Sequence, residues 1–121
     1  MSSLFEMLKP DFEFSDERGF LCQLVHNGYK QVNVVYSKAG ERRGGHYHEL
    51  NNEAFYVVDG EFDVYLSLNG ENEKVSFKKG DMFVIKKNVL HDFEYTQDSI
   101  LVVLYDVGVE KTDGTKDICR I

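Results

Sequence analysis

Glycine-centred turn signals punctuate this chain and separate short runs of alternating apolar and polar residues. They fall at Asn27-Gly28, Ala39-Gly40, Asp59-Gly60, Asn69-Gly70, Lys79-Gly80 and Asp113-Gly114. Three of the five intervals are ten to twelve residues, the spacing of an all-β sandwich or barrel. Between them apolar and polar residues alternate, and no window carries a strong helical period. The expected strands are Phe12–Ser15, Phe20–His26, Gln31–Ser37, Gly45–His48, Ala54–Val58, Phe62–Leu68, Lys74–Lys78, Met82–Ile85, His91–Tyr95 and Leu101–Asp106. The only proline, Pro10, precedes the first of them. A short helix is expected only near Ser3–Lys9. The clearest hairpin turns at Asn69-Gly70, a pair suited to the positive φ angles of a type I′ turn. It directs Phe62, Val64, Leu66 and Leu68 to the core.

One domain, residues 1–121, is expected from the length, and it can bury a core without staples. Apolar residues make up 42%, with nine Phe and seven Tyr, so disorder is not expected. The net charge of −7 argues against a nucleic-acid partner and against an anionic membrane surface. It leaves room for an anionic small molecule held by local Arg or Lys. Cys22 and Cys119 read as two free thiols of a reducing compartment. No basic segment followed by a long apolar run opens the sequence, and no stretch has the length of a membrane span. A cytoplasmic protein is the expectation.

Among four histidines, three are spaced to share a site. His46 and His48 are two residues apart, so on a strand both face one side. Glu53 follows on the next expected strand, and His91 opens a later one. Imidazoles and a carboxylate together are ligands for Zn, Mn, Fe, Ni or Cu. A His-x-His pair alone is a weak signal. Here a carboxylate, flanking glycines and a third His at an apolar strand accompany it, which favours a shared inward site over scattered surface histidines. Each ligand candidate shares a strand face with apolar or aromatic residues, as at a barrel mouth. Tyr95 shares the face of His91. His26 reads as an exposed turn residue.

The segment from Gly40 to Gly60 resembles the first motif of the cupin superfamily, G-x5-H-x-H-x4-E-x6-G, through Gly40, His46, His48, Glu53 and Gly60. Gly80 and His91 fit the second motif; Lys86, Asn88 and Tyr95 stand where proline, glycine and asparagine are usual. The resemblance implies a double-stranded β-helix, the jelly-roll barrel, with His46, His48, Glu53 and His91 as metal ligands. The implied metal is a divalent transition ion (Zn, Mn, Fe or Ni). Cupins commonly pair, so a homodimer is expected.

A second resemblance concerns Asp16-Glu-Arg-Gly-Phe20, Gln31-Val-Asn33-Val-Val-Tyr-Ser37 and Arg43-Gly-Gly-His46-Tyr47. These are similar to the front half of dTDP-4-dehydrorhamnose 3,5-epimerases. Arg42 to His48 is also similar to the R-R-G-x-H-x-H motif of dTDP-sugar 3,4-ketoisomerases and to cupin domains of capsular-polysaccharide enzymes. The resemblance implies proton abstraction next to a ketone in a nucleotide-linked keto-deoxysugar, in surface-polysaccharide synthesis. His46 or His48 would be the base, with Tyr95 or Tyr36 returning a proton. Arg43 would pair with a diphosphate, and Gln31 and Asn33 would contact sugar or nucleobase. The epimerases work without a metal and usually carry Gln where His48 stands. Alternatively the metal acts as a Lewis acid on the ketone, and a nitrogen bound to it is then unavailable as base. The rival expectations are a metal-dependent cupin of other activity, a dioxygenase or sugar-phosphate isomerase, and a non-catalytic sugar-binding cupin.

Overall fold

The computed structural model describes residues 2–120, and these form twelve strands and no helix. In chain order they are β1 (Phe5–Leu8), β2 (Phe12–Asp16), β3 (Gly19–Gln23), β4 (Gln31–Ser37), β5 (Arg42–Tyr47) and β6 (Glu53–Asp59). Then follow β7 (Glu61–Leu68), β8 (Glu71–Lys78), β9 (Met82–Ile85), β10 (Leu90–Tyr95), β11 (Ser99–Tyr105) and β12 (Cys119–Arg120). The helix expected near Ser3–Lys9 is instead β1. It pairs antiparallel with β9 from Phe5↔Ile85 to Leu8↔Met82, and Phe5 packs on the core, so an open sheet edge decides the conformation of a weakly patterned segment. No helix among the described residues is long and apolar enough to cross a membrane.

Two five-stranded antiparallel sheets make the body, ordered β1-β9-β6-β11-β4 and β12-β5-β10-β7-β8. Their facing sides hold the core. Phe62, Val64 and Leu66 point inward from β7, as the alternation requires. Phe93 and Tyr95 do so from β10, Phe55 and Val57 from β6, and Leu101 and Val103 from β11. Phe77 stacks on Phe83 at 3.7 Å and Phe55 on Phe83 at 4.9 Å between ring centroids. These rings fill one end of the space between the sheets. The hairpin turn has Asn69 at φ 50° and Gly70 at φ 84°, the left-handed pair of a type I′ turn.

A separate hairpin, β2–β3, lies outside the barrel. Cys22 of β3 lies beside Tyr56, which faces outward from β6. The charged tail returns to the barrel, where β12 pairs with β5 through Cys119↔Tyr47 and Arg120↔His46. Asp117 anchors it. One carboxylate oxygen accepts the Glu49 N–H at 2.9 Å; the other accepts the Leu50 N–H at 3.0 Å and the Asn51 amide at 2.8 Å. Both cysteines are free thiols.

Candidate active site

The donors arrive from both sheets. Glu53 begins β6 in the first sheet; His46 comes from β5 and His91 from β10 in the second, and His48 directly follows β5. The ring nitrogens of His46, His48 and His91 that face one another lie within 4.8 Å. Ring centroids are 4.7 Å apart for His46 and His91, 5.1 Å for His46 and His48, and 5.5 Å for His48 and His91. Glu53 Oε1 stands 3.0 Å from His48 Nε2 and 3.4 Å from His91 Nε2. The structure thus brings together the four donors singled out in the sequence, with Glu53 against two of the three imidazoles.

The strand β5 is not regular. His46 pairs with His91, but Asp92 pairs with Gly44, so two steps on β5 match one on β10. Gly45 is the extra residue of a β-bulge, and Gly44 and Gly45 take φ 117° and 69°. Arg43 and His46 are three residues apart and would face opposite sides of a regular strand. The bulge turns both toward one cavity. It also presses the backbones together, since a Cβ on Gly44 would sit 2.6 Å from the His91 carbonyl oxygen. Asn88 stands where the second cupin motif has glycine. It takes φ 67°, which asparagine tolerates, and its N–H donates to the His48 carbonyl at 2.8 Å. The turn before His91 is therefore held without the glycine.

Backbone carbonyls orient two of the imidazoles. His48 Nδ1 donates to the Asp117 carbonyl, and His91 Nδ1 donates to the Val89 carbonyl at 3.2 Å. Both Nε2 lone pairs then aim at the same buried carboxylate oxygen. Acceptor against acceptor is unfavourable unless a proton or a cation lies between. Burial opposes charge on His48, yet the Glu53 carboxylate and the Asp117 carbonyl outweigh it and raise its pKa. Burial would raise Glu53; hydrogen bonds and charge from His48, His91 and the Tyr105 hydroxyl hold it low instead. Burial lowers His91. Burial, with the neighbouring His91 and His48, lowers His46 to about 4. His46 Nδ1 is buried with no hydrogen-bond partner. Imidazoles clamped through Nδ1, a facing carboxylate and an unpartnered ring nitrogen fit a divalent transition ion.

The cavity beside this cluster has a volume of about 150 Å³. Arg43, His46, Glu53, His91, Tyr95 and Tyr105 line it, with aliphatic and Phe side chains completing the wall. Arg43 sits at its exposed edge. Its Nε donates to Ser37 Oγ at 2.7 Å and an Nη to the Tyr36 carbonyl at 3.3 Å. Arg42 points the other way, to Asp92 and Glu94. Gln31 and Asn33 share the inward parity of Val35 but do not line the cavity. The Gln31 side-chain oxygen accepts the Val109 N–H at 2.7 Å, and its amide donates weakly to Asn33 at 3.4 Å. Gln31 is thereby engaged in holding the tail. Tyr36, the other tyrosine considered for proton return, faces outward and is half exposed, which removes it from the site. His26 is exposed and paired with Asp11 at 2.6 Å.

Tyr105 was not singled out in the sequence. It lies beside Glu53, and burial followed by that carboxylate's charge pushes its phenol pKa up. Its parity with Leu101 and Val103 on β11 is the signal that marks it as inward. The Asn51–Asp117 clasp carried no signal, because it joins residues 66 apart in sequence.

Residues 33–108 match the cupin domain family, more than half of the chain. The chain belongs to the cupin family. It is 27% identical over 81 residues to the 3-hydroxyanthranilate 3,4-dioxygenase of Xenopus laevis, a match covering 67% of this chain and 28% of that protein. In structure it is similar to a sugar 3,4-ketoisomerase from Thermoanaerobacterium thermosaccharolyticum in complex with TDP. The TM-score is 0.81 at 20% identity, over 100% of this chain and 90% of that one. An epimerase from Mycobacterium tuberculosis is similar with a TM-score of 0.71 at 19% identity, over 86% of this cupin and 64% of that chain. At such identities these two likenesses speak for the fold, a jelly-roll barrel.

Proposed function

We propose that this cupin is a cytoplasmic isomerase of nucleotide-linked keto-deoxysugars, an epimerase or 3,4-ketoisomerase, serving surface-polysaccharide synthesis. Arg43 carries the reading. Among the described residues no carboxylate pairs with it, although the chain has net charge −7 and its neighbour Arg42 is paired twice. A guanidinium left free at the mouth of a cavity is suited to a diphosphate. The cavity behind it is of the order a single sugar ring occupies. Similar solved structures include a 3,4-ketoisomerase in complex with TDP-4-keto-6-deoxyglucose, which supports the same substrate class.

The residues lining the cavity supply the parts of a proton transfer. His46 is held neutral and so has a lone pair for a proton from the carbon next to the ketone. The Glu53 carboxylate favours the charge that His46 gains. His48 has both ring nitrogens engaged and does not line the cavity, so its part is to hold the cluster. Burial keeps the Tyr95 phenol protonated, against the opposing pull of Ser37 and Arg43. It can donate to the oxygen that becomes an enolate. For a ketoisomerase, the electron pair left on carbon forms the double bond of an enediol and the ketone oxygen takes a proton. Protonation of the former ketone carbon and loss of the neighbouring hydroxyl proton then leave the carbonyl one position along. For an epimerase the proton returns to the opposite face of the same carbon. Neither route needs an oxidant.

His46, His48, His91 and Glu53 would hold a divalent transition ion, which when bound supplies a Lewis acid for a ketone oxygen. The His46 nitrogen cannot serve both uses at once. A second reading, a metal-dependent oxygenase, is favoured by that donor set together with the 27% match to a dioxygenase. Arg43→Ala separates the two readings. For a nucleotide-sugar isomerase, titration with TDP should show affinity about 10- to 100-fold weaker than wild type, the loss of a charge-assisted contact of about 1.5–3 kcal/mol. Undiminished TDP affinity, or oxygen consumption by the iron-loaded wild type, would favour the oxygenase.

A further inference from the structure

The two sheets meet differently along their two sides. On one side Phe5 of β1 packs edge-on against Phe77 of β8, with ring centroids 5.7 Å apart, and closes the barrel. On the other side the terminal strands are β4 and β12. There Arg43 crosses from β5 to β4, through Ser37 and the Tyr36 carbonyl, at the exposed edge of the cavity.

A second arginine reaches this edge from the tail. The ladder between β12 and β5 pairs Arg120 directly with His46. Residues directly opposite in an antiparallel pair project to the same face, so Arg120 shares the face of the His46 imidazole. Its guanidinium turns along β5 and donates to the Gly44 carbonyl at 3.3 Å, and Gly44 lines the cavity. One guanidinium thus belongs to residue 43 and another rests against residue 44 of the same strand. The contact with Gly44 uses one of the five donors that Arg120 carries. The side chain is exposed, and among the described residues no carboxylate pairs with it. Burial is the main cause that keeps His46 neutral, and the charge of Arg120 adds to it. Two neighbouring cations without a carboxylate, in a chain of net charge −7, repel each other until an anion joins them.

We propose that Arg120 is a second phosphate-binding residue of this site, so that a diphosphate is held between Arg43 of the barrel and Arg120 of the tail; this rests on the nucleotide-sugar function proposed for the cavity. A diphosphate offers more anionic oxygens than one planar guanidinium fork can meet. The tail fixes where the second fork arrives. Arg120 stands three residues after Asp117, whose carboxylate is clasped by the Glu49 and Leu50 N–H groups and the Asn51 amide. The tail is therefore part of the binding site as well as a brace for His48.

Isothermal titration calorimetry with TDP tests this on wild type, Arg120→Gln and Arg120→Lys. Glutamine can still donate to the Gly44 carbonyl, but it brings no charge. Arg120→Gln should bind TDP about 10-fold more weakly than wild type, the size of one charge-assisted contact. Arg120→Lys, which keeps the charge without the fork, should fall between the two. The side chain is exposed, so neither change opens a core. Undiminished TDP affinity in Arg120→Gln, with Arg43→Ala weakened, would overturn the proposal; Arg120 would then only brace the edge of β5, and the diphosphate role of Arg43 would stand. Equal losses in the Gln and Lys variants would overturn it too, since charge would then not matter. A wild type that does not bind TDP would overturn this proposal together with the nucleotide-sugar function.

Discussion

At His46, burial and two neighbouring imidazoles combine to keep the ring neutral. At His48, two residues on, a carboxylate and a carbonyl draw protons toward it. Equal residue type and equal strand parity thus give unlike chemistry, because the partners come from segments distant in sequence. The sequence pattern could place both rings on one side. It could not say which of them touches the cavity, since that depends on Asp117 reaching back from the tail. The surplus of lone pairs around Glu53 leads to a first prediction. Purified protein should carry a divalent transition metal by elemental analysis, and His48→Ala should lose it. Retention of metal by the variant would mean that the ion sits elsewhere.

Three elements position the site: the bulged strand β5, the turn before β10 and the tail. At the Gly44-Gly45 bulge, alanine at position 44 would meet the His91 carbonyl and force a φ of 117° on a residue with a side chain. Gly44→Ala should cost about 2–4 kcal/mol in denaturant unfolding. An unchanged midpoint would show that β5 can straighten. The tail is held by Asp117, and Asp117→Ala leaves one hydrogen of the Asn51 amide and two backbone N–H groups without an acceptor. A loss of about 2–3 kcal/mol is expected, with weaker metal retention because the loosened tail no longer fixes the residue-117 carbonyl that orients His48. Burial raises the Asp117 pKa, but the donors Asn51, Leu50 and Glu49 lower it further, for a net decrease. The folded value lies below the unfolded one. Its contribution to stability is therefore complete above the ordinary aspartate value of 3.8 and fades as pH falls through the lower folded value. Wild type should thus lose stability below about pH 4 more steeply than Asp117→Ala; parallel acid unfolding curves would contradict this. Of these three elements the sequence revealed the strands and the glycines. The bulge stayed hidden, since two adjacent glycines do not announce which residues they turn inward. The clasp stayed hidden because a polar tail reads as solvated until its partners are known. The N-terminal segment was misread as helical because its pairing with β9 is a tertiary choice.

On the scale of the molecule, two sheets converge histidines and a glutamate at one end of a phenylalanine-filled barrel, and an unpaired arginine guards the adjacent cavity. The motif spacing made the barrel and the four-donor cluster readable. The place of Arg120 was not, because only the tail's return to β5 brings it to the edge of the cavity. The proposed reaction begins with removal of a proton beside a ketone, and that event can be followed without knowing the final product. The decisive measurement is NMR of TDP-4-keto-6-deoxyglucose incubated with the protein in D₂O. Wild type should place deuterium at a carbon adjacent to the ketone, and His46→Asn should slow this by about 10²- to 10⁴-fold, the contribution of a general base. Binding of the sugar nucleotide without any exchange by the wild type would contradict the proposed chemistry.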